Sequence, residues 1–171
     1  VSNTKKEIEL PIYIKIEDLG TKYLKKQRKV NDIKIHKEPM VGTMNGMWAN
    51  ALGKGGIIPI ETRFFPSTNF LDLKLTGMQG DVMKESMTVA KTLAWSLTPK
   101  KIQENLLKEF EECKNYGLHV HCPEGAVNKD GPSAGGAITI SMYSLLNNKK
   151  INNTVSMTGE TNLRGKITII G

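Results

Sequence analysis

Residues 129–135 read Lys129-Asp130-Gly131-Pro132-Ser133-Ala134-Gly135, and the stretch from Ala134 to Leu146 that continues them is small and apolar. Gly-Pro favours a tight turn, and the run after it has the composition of a buried helix. A buried helix entered through such a turn constrains the fold more than any other stretch of this chain. It also sets a hydroxyl where the first N–H groups of a helix lack intrahelical acceptors and the helix dipole is positive. A serine nucleophile needs such surroundings, because its tetrahedral intermediate carries an oxyanion.

The 171 residues suffice for one domain with a real core and a small appendage, and 39% hydrophobic with 24% charged residues is ordinary for a globular protein. No apolar run approaches the roughly 18–20 residues of a membrane span, and no signal-peptide pattern opens the chain, so no membrane association is expected. Cys113 and Cys122 make no disulfide framework, which points to a reducing intracellular compartment. The net charge is +7, with Lys22, Lys25, Lys26, Arg28 and Lys29 close together. The plain reading of that cluster is a solvated helix face, and the sharper one is weak nucleic-acid binding. No zinc-finger or aromatic-interleaved basic motif favours the second.

Along the chain, Ile12, Ile14 and Ile16 alternate as a short strand, and Asp18 caps a basic helix reaching about Lys29. Residues 1–38 read as a connecting segment, and Pro39 opens the main domain, 39–171. Residues 40–77 are β-rich: Gly53-Lys54-Gly55-Gly56 is a hairpin turn before Ile57–Ile60, and Leu71, Leu73 and Leu75 alternate as a half-buried strand. The Gly53 loop lacks the spacing of a phosphate-binding loop. Val82, Ser86, Val89, Leu93 and Leu97 predict a helix opened by Asp81. Thr98-Pro99 ends it and caps a second helix along Ile102, Leu106, Phe110 and Cys113, closed by Gly117. Leu118 to Cys122 is a strand, the helix from Ser133 follows, and strands at 155–157 and 166–170 complete an α+β class.

Several ordered motifs then stand together: His119-Val120-His121-Cys122-Pro123-Glu124-Gly125-Ala126, the 129–135 segment, Met157-Thr158-Gly159-Glu160 and Leu163-Arg164-Gly165. Upstream are Ile60-Glu61-Thr62, Thr76-Gly77 and the run Gly80-Asp81-Val82-Met83-Lys84-Glu85-Ser86. With them the chain resembles, over about residues 40–171, the proteolytic domain of Lon, the ATP-dependent AAA+ serine protease. Residues 1–38 resemble only loosely the segment joining the ATPase module to the protease. The resemblance implies the Lon proteolytic fold, which is similar to domain 2 of ribosomal protein S5. It implies a hydrolase that degrades unfolded or damaged protein in quality control, assembled in rings of six. No cofactor is implied in this domain; ATP and Mg belong to the ATPase module, since no Walker A motif lies in these residues.

The same resemblance implies a Ser–Lys dyad with Ser133 as nucleophile. The lysine belongs in a Gly-Gly-Leu-Lys-type helix after the final strand, which falls past Gly171; Lys129 and Lys166 do not match it. A lysine works as base only when neutral, which requires a depressed pKa. Thr158 is implied to position it, although alone it reads as a turn residue. The backbone N–H groups of Ser133 and Ala134 are implied to hold the oxyanion. Asp130 caps the helix or pairs with the resting lysine. Glu85 matches an acidic position near the site, or is an exposed helix carboxylate. His119 and His121 stand about 7 Å apart on one side of a strand, but no companion ligand falls nearby, so neither a metal site nor a His–Ser triad is expected. Gly136, where relatives carry a bulkier residue, is expected to loosen the helix start. The alternative from another functional class is a catalytically silent ring scaffold or substrate-binding domain of the same fold.

Overall fold

The computed structural model describes residues 13–20, 24, 35–49, 55–77, 80–123 and 131–168. The chain divides into two compact units, Val1–Asp32 and Ile33–Gly171. Among the described residues of the first unit is a helical turn, α1 (Ile16–Asp18). Ile14 and Ile16 are exposed and form no strand, contrary to their alternation; without a pairing edge, alternation alone does not make one. The basic helix expected through Lys29 lies outside the described residues. The second unit begins ahead of Pro39, and His36 belongs to it: its carbonyl accepts a hydrogen bond from Asn153 Nδ2.

The second unit carries β1 (Met40–Val41), β2 (Thr43–Ala49), β3 (Gly55–Phe65), β4 (Leu73–Thr76), α2 (Asp81–Leu97), α3 (Lys100–Cys113), β5 (Gly117–His121), α4 (Gly135–Leu146), β6 (Lys150–Ile151), β7 (Ser156–Met157), β8 (Glu160–Thr161) and β9 (Ile167–Thr168). Five strands form one sheet in the order β4-β5-β3-β2-β7. β2 and β3 pair antiparallel with Ala49 opposite Gly55, which is the expected hairpin, and residues 50–54 of its tip lie outside the described residues. β3–β5 is antiparallel, whereas β4–β5 and β2–β7 are parallel. The class is α+β, as expected.

One face of this sheet supplies Met44, Ile58, Ile60, Leu118 and Val120 to a core shared with Met87, Ala90 and Ala94 of α2 and Ile138 and Met142 of α4. α4 is apolar around most of its circumference, as a helix covered on several sides must be. Its inward hydroxyls are all satisfied. Ser141 Oγ bonds Thr62 Oγ1 at 2.7 Å and the Gly42 carbonyl at 3.0 Å, and Ser144 Oγ accepts the Gly42 N–H at 2.9 Å. Buried hydroxyls so paired avoid the roughly 1–3 kcal/mol penalty of an orphan. The opposite sheet face is polar. Across three strands, Arg63, His119 and Lys74 stand in one row and Glu61, His121 and Thr76 in the next.

Three local expectations are corrected. Leu71 is not in a strand: it is buried at φ +51° in the turn before β4, where its N–H meets the Tyr116 carbonyl. Thr98 does not cap α3; its hydroxyl turns back to the Ala94 carbonyl at 2.9 Å, at the C-terminus of α2. The cap after α3 is Lys114 at φ +52°, not Gly117. Gly117 opens β5, where a Cβ would lie 2.6 Å from the ring of Phe65.

Candidate active site

Gly131 takes φ +114°, a conformation that suits glycine. Pro132 then starts a 3-10 turn, Pro132–Ala134, which runs directly into α4. Ser133 stands in the middle of that turn, half-buried, and its hydroxyl has no hydrogen-bond partner among the described residues. The serine therefore lies one turn before the long helix begins, not at its first regular residue. α2 and β8 both pack beside this turn.

A clasp from the segment after β7 fixes the turn. The Gly159 N–H donates to the Ser133 carbonyl at 2.6 Å, and Thr158 Oγ1 donates to the same oxygen at 3.2 Å. The Gly136 N–H returns a bond to the Gly159 carbonyl at 3.0 Å. Thr158 and Ser133, 25 residues apart, are thus brought together. Gly159 adopts φ +148° and leaves no room for a side chain, since a Cβ there would lie 2.4 Å from Ile167 Cγ2. Gly135 and Gly136 allow the close approach. A Cβ on Gly135 would sit 3.1 Å from the Thr161 nitrogen, and one on Gly136 would sit 2.8 Å from Met157 Cε. Gly136 therefore does not loosen the helix start: Met157 occupies the space a side chain would take. Thr161 Oγ1, buried behind Gly135, has no hydrogen-bond partner among the described residues.

Asp130 lies outside the described residues. Glu85 is on the exposed side of α2 and forms no hydrogen bond or ion pair among the described residues, so it is not joined to Ser133. Its neighbour Asp81 pairs with Lys84 at 2.9 Å, and that ammonium, through its hydrogen bond and its charge, holds the Asp81 carboxyl below the usual range. No three His, Cys, Asp or Glu gather as metal ligands among the described residues. His119 Nε2 and His121 Nδ1 instead both meet Thr76 Oγ1, at 2.9 and 2.7 Å. Burial lowers the pKa of His119, and Lys74 and His121 lower it further. No helix among the described residues is long and apolar enough to cross a membrane. Sequence reasoning missed Gly159 and Met157 as partners of the serine turn. The only signal was their place beside Thr158.

Residues 14–171 match the family model described as the Lon protease (S16) C-terminal proteolytic domain. The chain is 42% identical over 160 residues to a Lon protease homolog of Acanthamoeba polyphaga mimivirus, covering 91% of this chain and 15% of that protein. It is 42% identical over 138 residues to a Lon protease of Clostridium acetobutylicum, covering 81% of this chain and 17% of the relative. A Lon protease of Rickettsia typhi aligns at 36% identity over 99% of this chain and 20% of its own length. The chain thus spans about a fifth or less of these curated relatives. With the serine turn, the threonine clasp and the family match in agreement, this chain belongs to the Lon protease C-terminal proteolytic domains.

Proposed function

We propose that this chain is the peptide-bond-cleaving part of an ATP-dependent serine endopeptidase, acting on unfolded polypeptide with Ser133 as nucleophile. The observation that carries the reading is the double hydrogen bond from Thr158 and Gly159 to the Ser133 carbonyl. It holds a half-buried serine at the mouth of a helix while leaving its hydroxyl unengaged among the described residues.

In this reading a neutral lysine from residues that follow Gly171 in the full-length protein takes the proton of Ser133 Oγ. The oxygen bonds to the scissile carbonyl carbon, and the N–H groups of Ser133 and Ala134 hold the oxyanion. The tetrahedral intermediate collapses as the protonated lysine gives its proton to the leaving amine. Water, deprotonated by the same lysine, then releases the acyl group from Ser133. Thr158 serves both partners: its single O–H is spent on the Ser133 carbonyl, and its lone pairs remain to accept a hydrogen from the lysine and orient it. Asp130 pairs with that lysine at rest, and Glu85 lines the approach to the site from α2. ATP and Mg act in a separate ATPase module of the full-length protein, which assembles as a hexamer inside the cell, in cytoplasm or the mitochondrial matrix.

The test is cleavage of unfolded casein by the full-length protein with and without ATP. Stimulated cleavage that Ser133→Ala abolishes is the expected result. No cleavage by the wild type, with rings and casein binding intact, would instead establish a silent scaffold.

A further inference from the structure

We infer that Asn45, far from Ser133 in sequence and on a different element, is a positioning residue for the reaction; this rests on the proteolytic reading above. Asn45 is 5% exposed. Its side-chain nitrogen donates to two backbone carbonyls of the segment before β7, Asn153 at 2.8 Å and Val155 at 3.2 Å. β7 needs that support. It is an edge strand of two residues, paired with β2 only through Asn45↔Ser156 and Gly46↔Met157, and parallel pairing is the slightly weaker kind. The turn ahead of it is closed locally, with Asn152 Oδ1 accepting from the N–H and hydroxyl of Thr154 at 3.0 and 2.9 Å. Besides that short ladder and the bond from Asn153 to the His36 carbonyl, the Asn45 amide is the side chain of the sheet that holds this turn.

What β7 carries is the clasp. Met157 fills the space above Gly136, and the next two residues supply both hydrogen bonds to the Ser133 carbonyl. A continuous covalent path of three residues therefore leads from the carbonyl held by Asn45 to the hydroxyl of Thr158. Asn45 touches neither substrate nor nucleophile. It sets where Thr158 stands against Ser133, and a displacement of about 1 Å at such a position can cost about a hundredfold in rate.

A double-mutant cycle in the full-length protein tests this, with Asn45→Ala, Thr158→Val and the pair, measured by steady-state cleavage of a short fluorogenic peptide. Asn45→Ala is expected to lower kcat about tenfold with KM little changed. In the Thr158→Val background the same change is expected to lower kcat less than threefold. Asn45→Asp, equal in size but without the donor, is expected to behave like Asn45→Ala. Independent, multiplicative effects of the two single changes would overturn the inference, as would full activity in Asn45→Asp. Hydrogen exchange on the same proteins separates this inference from the proteolytic reading, because it needs no activity. Asn45→Ala is expected to expose amides 156–161 while leaving α2 and β3 protected. Unchanged exchange at 156–161 would overturn the inference even in an active enzyme. Loss of protection there in a protein that never cleaves peptide would sustain the tether and count against the proteolytic reading alone.

Discussion

Gly77 lies so close to Cys122 that a Cβ added to it would sit 1.9 Å from the Cys122 carbonyl oxygen. The two residues directly follow adjacent strands, β4 and β5, and the Cys122 N–H bonds the Thr76 carbonyl at 3.1 Å. From this junction the chain departs on one side toward α2 and on the other toward Ser133. Gly77 also takes φ +102°. Gly77→Ala combines backbone strain with overlap against a main chain that cannot yield, so it is expected to cost about 3 kcal/mol or more. A urea-unfolding midpoint equal to that of the wild type would disprove the close approach.

Thr158→Val keeps the shape of the residue and removes the hydrogen bond to Ser133. Peptide cleavage by the full-length protein is expected to fall between tenfold and a hundredfold, almost entirely in kcat. Thr158→Ser restores the hydroxyl and is expected to recover most of the rate. Equal activity in the valine and serine variants would remove the hydroxyl from the mechanism.

The lowered pKa of His119 gives folding stability a defined pH dependence. Burial opposes its charge first, then Lys74 and His121; Arg63 faces it from β3, with Glu61 in the next row and the Phe65 ring at 6.5 Å. Because the folded value lies below the ordinary histidine value of 6.5, the folded state binds fewer protons than the unfolded one between the two values. The contribution is therefore fully present above about pH 6.5 and is lost as pH falls through the folded value. His119→Gln is expected to flatten the rise in stability between pH 5 and 7. A variant with an unaltered profile in denaturant titrations across that range would refute the assignment.

Gly136 and Met157 are expected to be energetically coupled. Gly136→Ala displaces the end of a flexible thioether chain, at a cost below about 1 kcal/mol. Met157, half-buried, loses its packing against Gly136 in Met157→Ala, at about 1 kcal/mol or more. The double variant, in which the new methyl occupies part of the vacated space, is expected to be less destabilised than the sum. Strict additivity in thermal unfolding would argue against the contact.

Much of this arrangement is legible in the residues themselves. The turn at Gly131-Pro132, the buried helix after it and the amphipathic spacing of α2 and α3 are local properties, and they survive in the fold. What failed depended on distant neighbours. Leu71 satisfies the strand alternation, yet its N–H is claimed by Tyr116 across the turn. Gly117 looks like a helix stop, but the ring of Phe65 from β3 dictates its lack of a side chain. The place of Thr158 followed from family resemblance. Its two partners in holding the turn, Gly159 and Met157, become visible only when β7 is laid beside α4. Asn45-Gly46 reads locally as a turn or bulge signal, yet both residues lie within β2, and the role of the Asn45 amide shows only once its acceptors are known.

α4 contains no charged residue, and neutral hydroxyls on Ser141 and Ser144 moor it to the sheet. Dissolved ions weaken attraction between charges, but they leave contacts of this neutral kind untouched. The mooring of the helix behind Ser133 therefore contains no ion pair for salt to screen. Screening by salt acts on the basic exterior and not on these buried hydroxyl contacts.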